Sequence, residues 1–278
     1  MKRNRHGYIV LSALVFLLIA LFELGPLLWM GLTSLKPAGT EFRIPVKLLP
    51  EQPTLENYAV VTQENFQVQR AIRNSLIVSG AAMLGTLLLS SLAAFAMARS
   101  RFRYKKSAFF SIQAAGLVPP IIVIAPTFVL LRSWGLLGTL GAMILPHIAY
   151  GVPLATLLIA GFFAGIPIEM DEAARIDGAG SLRIFLQILL PVLRPALFSA
   201  GVLSFLGSWG DFMHALTVTL GLPAVQTVPV AILSFSSAFQ LQWTWIAAGV
   251  ILSVLPVVVL VVLFQRYLIG GLTSGALS

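Results

Sequence analysis

The chain has 278 residues, 58% of them hydrophobic and 10% charged, with a formal net charge of +8 and no cysteine. Soluble domains carry roughly 25% charged residues, so this is a membrane composition, and the absent cysteines exclude disulfides, thiolate metal ligands and a lipidated cysteine. The positive charge sits beside apolar runs and forms no nucleic-acid patch: Lys2, Arg3 and Arg5 precede the first run, and Arg99, Arg101, Arg103, Lys105 and Lys106 come after the second.

A transmembrane helix needs about 20 mainly apolar residues, and six stretches qualify. The first covers residues 8–32. It exceeds the usual signal-peptide h-region of about 7–15 residues and no clear small-x-small site comes after it, so it reads as an uncleaved span. Residues 34–70 contain Pro37, Pro45, Pro50 and Pro53, then a short helix near 55–63. The second span covers 72–98, where Gly80, Ala81, Gly85 and Ser90 are small enough to serve helix packing. Pro119, Pro120 and Pro126 predict a break or kink in the third span, 108–131.

The fourth span covers 141–163, the fifth 192–213 and the sixth 244–268. Residues 214–243 are apolar but interrupted by Gly221, Pro223 and Pro229. They read as a helix–turn segment dipping back toward the membrane; a seventh span competes but is too short and too broken. No soluble domain or repeat appears, so residues 1–278 read as a single transmembrane domain. With the N-terminus inside, twelve Lys and Arg residues fall on cytoplasmic segments and six outside, which favours an N-in, C-in arrangement.

That topology puts residues 164–191, between spans four and five, in the cytoplasm. Pro167 suits the first turn of a helix, and Glu169, Asp171 and Glu172 complement the helix dipole there. Gly178 and Gly180 interrupt the run, Ser181 can cap a second helix, and Pro191 and Pro195 end it. The expectation is a helix–turn–helix elbow bent at Gly178. Ala173 and Ala174 are small enough for close seating in a protein groove, and Glu172 can pair with a basic partner. A helix lying on lipid headgroups would display Lys and Arg instead. Here Glu169, Asp171, Glu172 and Asp177 face only Arg175 and Arg183, which favours a protein partner.

Glu172-Ala173-Ala174, Gly178 and Ile188-x-Leu190-Pro191 resemble, at every position of the pattern, the EAA loop of bacterial ABC-importer permeases. The likeness extends along the chain. Pro26-Leu27-Leu28-Trp29 with Thr33-Ser34-Leu35-Lys36-Pro37, Asn74-Ser75-Leu76, Gln265-Arg266-Tyr267-Leu268 and Gly271-Leu272-Thr273 look like the maltose-type carbohydrate branch. The resemblance implies an all-α membrane protein of the type I ABC-importer permease fold, multi-pass in a bacterial or archaeal inner membrane. It implies four kinds of neighbour: a second related permease, two copies of an ABC ATPase, an extracytoplasmic solute-binding protein and the lipid bilayer. It also makes the 164–191 loop the coupling loop that docks into the ATPase, through Glu172, Ala173, Ala174, Gly178, Ile188, Leu190 and Pro191. The tail from Thr273 to Ser278 is either a second contact of that kind or a frayed end.

The chain contains no G-x-x-x-x-G-K-S/T phosphate loop and no H-E-x-x-H, and its three histidines lie far apart in sequence. ATP and Mg are therefore expected in a partner ATPase, with no cofactor, metal site or catalysis in this chain. Polar groups within spans often mark a pathway, and the candidates are Trp209, Asp211, His147, Tyr150 and Asn74. Trp209 and Asp211 supply an aromatic face and a hydrogen-bonding group for a sugar, or else belong to the interfacial aromatic belt and to water. His147 either lines the path or bonds a neighbouring helix. The expected cargo is a sugar or oligosaccharide, with glycerol phosphate or a polyol as the alternative. An ion-coupled secondary transporter would need charged relays at midplane and a larger repeat-built bundle.

Overall fold

Hydrocarbon offers no partner to a backbone N–H or C=O, so a spanning chain without a closed barrel must be helical. The computed structural model describes residues 5–41, 44–45, 47–63, 68–100, 102–235 and 242–274, with backbone alone at 5–9, 234 and 266–274. Its helices are, in order, α1 (Arg5–Ser34), α2 (Glu56–Val61), α3 (Val68–Arg99), α4 (Lys105–Gly116), α5 (Pro120–Ser133), α6 (Gly141–Ala164), α7 (Glu169–Ile176) and α8 (Ser181–Arg183). A π-helical segment, Ile184–Leu189, leads into α9 (Leu190–Val192), α10 (Arg194–Trp209), α11 (Met213–Thr219), α12 (Val228–Ala231) and α13 (Trp243–Ser274). Lys2, Arg3, Arg43, Arg101, residues 236–241 of the 214–243 segment and residues 275–278 of the tail lie outside the described residues.

Four of these helices are long and apolar enough to cross a membrane, and up to six spans result if each bent pair is one crossing. The two bent pairs are α4 with α5, at 95°, and the helical run 181–192 with α10, at 78°. The first break falls at Pro119–Pro120, where the prolines predict it. The second falls between the two prolines that predict it: the helix runs through Pro191, breaks at Leu193, and Pro195 sits in the first turn of α10. A proline lacks an N–H that the first turn does not use, so Pro195 starts a helix instead of stopping one. The fifth span thus ends at Trp209, and short helices and turns continue to residue 235 with no further crossing among the described residues.

The chain divides into two compact units. One comprises residues 1–69 and 231–256. Its helix α1 is apolar on every side; Phe16 is 74% and Phe22 80% exposed. Each such side chain left in water would forfeit about 1.5–3 kcal/mol, so this surface is made for lipid or protein. At the end of α1, the buried Asn57 of α2 donates to the carbonyls of Ser34 (2.8 Å) and Lys36 (2.7 Å), which the helix itself leaves unsatisfied. Tyr58 Oη adds a 2.7 Å bond to Ser34 Oγ.

The other unit comprises residues 70–230 and 257–278. Small residues let its helices approach closely, as membrane packing requires. A β-carbon at Gly85 of α3 would overlap Ile148 of α6, and one at Gly151 would come within 2.7 Å of Thr86 Oγ1. Ser90 Oγ donates to Val152 O at 3.2 Å. Gly80 meets nothing within 4 Å, so it takes no part in this seam. Two apolar clusters form at opposite ends of α3 and α6. One joins Val78, Leu131, Met143, Ala215 and Val218; the other joins Ala94, Ile159, Phe163, Ala174, Ile184 and Leu189.

Candidate functional site

The coupling-loop candidate folds as a hairpin at the second of those clusters. Pro167 stands two residues before α7, and the first turn is anchored by Ile168 O, which accepts from the N–H groups of Asp171 (3.0 Å) and Glu172 (3.1 Å). The helix ends in a Schellman turn: Ala179 N–H reaches Ala174 O at 2.9 Å and Gly178 N–H reaches Arg175 O at 3.0 Å. Gly178 has φ 79°, and a β-carbon there would meet nothing within 4 Å. Glycine is demanded by the left-handed backbone, which costs any L side chain roughly 1–2 kcal/mol. Gly180, not Ser181, takes the cap position of the second helix, and no side chain bonds there.

The inner face of the hairpin corrects part of the expectation. Ala174 is 8% exposed and packs inward with Ile166, Ile184 and Leu189; only Ala173 of the alanine pair faces out. The small side chain at 174 lets the two arms of the hairpin close on each other. Within Ile188-x-Leu190-Pro191, the unnamed middle residue Leu189 is fully buried, Ile188 and Leu190 are half-buried and Pro191 is exposed. Phe95 of α3 joins this cluster, with its ring centroid 5.0 Å from Phe185 and 6.3 Å from Phe163.

Asp171 is the second correction. It is 3% exposed and turned away from the outer surface, with Oδ2 accepting from Arg99 Nε at 2.8 Å. The Arg99 side chain, which sequence marks only as a topology signal, enters the turn between α6 and α7. Its Nη2 donates to Ile166 O at 3.0 Å and its guanidinium lies 5.8 Å from the Phe163 ring centroid. Both partners of the ion pair are largely shielded, with side-chain exposures of 9% and 5%. The outer face retains Glu169, Glu172 and Asp177 with Arg175 and Arg183, among exposed Ile168, Met170, Ile176, Leu182 and Leu186.

Part-way along α6 toward the opposite end lies a cavity of about 250 Å³, lined by His147, Tyr150, Leu154, Leu203, Ser208 and Asp211 among others. The distance from His147 to Phe163 is roughly 24 Å of helix at 1.5 Å per residue. His147 Nδ1 and Ser208 Oγ are 2.9 Å apart, so the histidine does bond a neighbouring helix while also lining the cavity. Its Nε2 stands 3.4 Å from Asp211 Oδ2, beyond a good hydrogen bond. Asp211 Oδ2 accepts the Ala215 N–H at 2.9 Å, capping the start of α11. His214 completes the cluster, its ring centroid 5.9 Å from that of His147 and its Nε2 3.1 Å from Ala142 O. Two histidines separated along the chain thus meet in space.

The remaining pathway candidates sit elsewhere. Trp209 is 8% exposed and stacks on Phe205 with centroids 5.6 Å apart, and it does not line the cavity. Asn74 Nδ2 donates to Ala224 O and Gln226 O, both at 3.0 Å, while Ser75 Oγ accepts from Val228 N at 2.9 Å. Asn74-Ser75 therefore clamps the segment after α11, and both Asn74 amide hydrogens are engaged in that clamp.

Residues 74–273 match the family described as "Binding-protein-dependent transport system inner membrane component". Among curated relatives, a trehalose/maltose transport system permease protein of Thermococcus litoralis is 32% identical over 97% of this chain and 96% of its own. A trehalose transport system permease protein of Mycobacterium tuberculosis is 34% identical, over 94% of each. A sulfoquinovosyl glycerol transport system permease protein of Agrobacterium fabrum is 32% identical, over 96% of this chain and 92% of its own. Among solved structures, a chain of a bacterial ABC transporter involved in the import of the acidic polysaccharide alginate superposes with a TM-score of 0.79 at 20% identity, covering 96% of this chain and 98% of that one. At that identity the likeness speaks for the fold.

Proposed function

The chain belongs to the family of binding-protein-dependent transport inner membrane components, and from that premise we propose that it is one half of the translocation pore of an ATP-driven importer for a sugar or oligosaccharide. The observation that carries the reading is the hairpin: a rigid, Schellman-terminated helix with an apolar and mixed-charge outer face, built on the residues Glu172, Ala173, Gly178, Ile188, Leu190 and Pro191. The names of the relatives, trehalose and maltose permeases among them, support a carbohydrate cargo.

In this reading the chain crosses the inner membrane of a bacterium or archaeon six times with both termini inside, and the hairpin faces the cytoplasm. A second permease completes the pore. Two ATPase copies bind ATP and Mg, close on each other, and push the hairpins so that the pore opens outward. A solute-binding protein then releases sugar into the pore, and hydrolysis resets it. The chain itself performs no catalysis. Cargo passes the cavity at His147, Tyr150 and Asp211, where the Asp211 carboxylate and His147 Nε2 exchange hydrogen bonds with sugar hydroxyls; Trp209 and Asn74 take no part in its lining.

Reconstitution in vesicles with the partner permease, ATPase and loaded binding protein tests this reading. Uptake is expected to require ATP, and Gly178→Trp is expected to abolish it while leaving membrane insertion intact. Normal uptake by Gly178→Trp, or uptake driven by an ion gradient without ATP, would overturn the assignment.

A further inference from the structure

The geometry points to Arg99 as the residue that couples the hairpin to the pore: a three-point strap through which motion of α7 is delivered to α3. The inference rests on the reading of the hairpin as the docking element. Arg99 is the last residue of α3, a 32-residue helix that also contributes Val78 to the apolar cluster at its far end. Its guanidinium makes three kinds of contact around the joint between α6 and α7. Nε donates to Asp171 in the first turn of α7, Nη2 donates to the carbonyl of Ile166 in the linker, and the cation lies over the Phe163 ring at the end of α6.

Gly165 and Pro167 flank Ile166, so the linker between α6 and α7 is anchored by the one buried side chain of Ile166, an apolar contact without fixed direction. Without Arg99, α7 would be joined to the bundle by that linker and by Ala174 with its apolar neighbours, which can slide. An ion pair with fixed hydrogen-bond directions resists sliding. The pair is largely shielded from solvent, so salt and water screen it little. Arginine is the residue suited to the task because its planar fork addresses a carboxylate and a carbonyl together; a lysine ammonium is a single point.

A positioning role differs from a merely structural one in what it controls. If the strap transmits force, its loss lets the ATPase bind and hydrolyse ATP while the pore responds poorly. The number of sugars imported per ATP then falls. A structural role would lower uptake and hydrolysis together, through loss of assembled complex.

The test uses the complete importer in vesicles, carrying Ile176→Cys on the exposed face of α7 for cross-linking to the ATPase. Arg99→Ala and Asp171→Ala are each expected to keep the cross-link and to lower uptake per ATP at least about 10-fold, well within the cost of breaking a buried pair. The double variant is expected to be no worse than either single one, because both remove the same connection. Arg99→Lys, which keeps the charge but not the fork, is expected to recover only part of the ratio. Uptake per ATP within about twofold of the parent in Arg99→Ala would overturn the proposal, as would additive losses in the double variant. If Arg99→Ala fails to assemble, Arg99→Lys decides: assembly with a parental ratio overturns the strap, a lowered ratio upholds it, and failure of both to assemble makes Arg99 a folding residue and also overturns it. Absence of the cross-link in the parent would instead refute the docking reading of the hairpin.

Discussion

The hairpin and the cavity lie along the same helix, α6, yet treat polar groups in opposite ways. At the hairpin, Arg99 and Asp171 Oδ2 meet at 2.8 Å, the carbonyl of Ile166 is taken up by the same guanidinium, only Asp171 Oδ1 is left without a partner, and fully buried Leu189 lies in the adjoining apolar cluster. At the cavity, His147 and Asp211 stand 3.4 Å apart beside about 250 Å³ of open volume. Tight pairing makes a body that moves as one piece. Loose pairing beside a space leaves hydrogen-bonding capacity for something that comes and goes. One chain holds both because they are roughly 24 Å apart along a continuous helix, far enough that neither has to compromise the other.

That contrast can be broken at either end. The largest effect is expected from Leu189→Asp, which puts a charge into the packed hairpin; the solubilised complex should lose its ATPase on purification, and retention of the ATPase with normal uptake would show that the hairpin is not the closed body described. Leu189→Ala should cost about 2–5 kcal/mol, as for other core truncations, read as a lowered unfolding midpoint of the purified complex. Next comes the cavity. Asp211→Ala should leave assembly intact by co-purification and lower uptake about 10-fold, while the lost cap on α11 costs about 1 kcal/mol of stability, read separately as a lowered unfolding midpoint. Asp211→Asn keeps a capping oxygen, so a full return of uptake in it would assign Asp211 to the cap and not to cargo. Smaller still, Ser208→Ala should change uptake by about threefold, the scale of one neutral hydrogen bond. The smallest effect is expected at Gly178→Asn, since asparagine tolerates the left-handed region; a slight fall in thermal stability with uptake retained would separate the backbone demand at 178 from the bulk that Gly178→Trp introduces.

Local patterns were legible in the sequence and distant pairings were not. The run that begins at Gly141 and ends before Gly165-Ile166-Pro167 gives α6 within a residue, because hydropathy and breakers act locally. Pro119-Pro120 marks the break between α4 and α5 for the same reason. The break at Leu193 lies between Pro191 and Pro195, which mark it; only their division of labour was hidden, since Pro195 starts a helix instead of stopping one. The spacing of Glu172, Gly178 and Pro191 pointed to the hairpin, but not to its inside. Asp171 looks like one more acid on an amphipathic helix until Arg99, 72 residues earlier, is brought beside it. Asn57 and Asn74 likewise reveal their roles only through carbonyls supplied by distant turns. His147 and His214, 67 residues apart in sequence, meet in space beside the cavity that His147 lines.

The inward turn of Asp171 has a consequence for what holds the outer face to its partner. With that carboxylate neutralised inside, three acids remain outside against two arginines, a residual of one negative charge spread among exposed isoleucine, methionine and leucine side chains. In the proposed docking, attraction between the hairpin and its socket then depends mainly on apolar contact, which salt does not weaken. At 1 M ionic strength the screening length falls to about 3 Å, and an assembly held by opposite charges would come apart. This one should survive a high-salt wash with its ATPase retained.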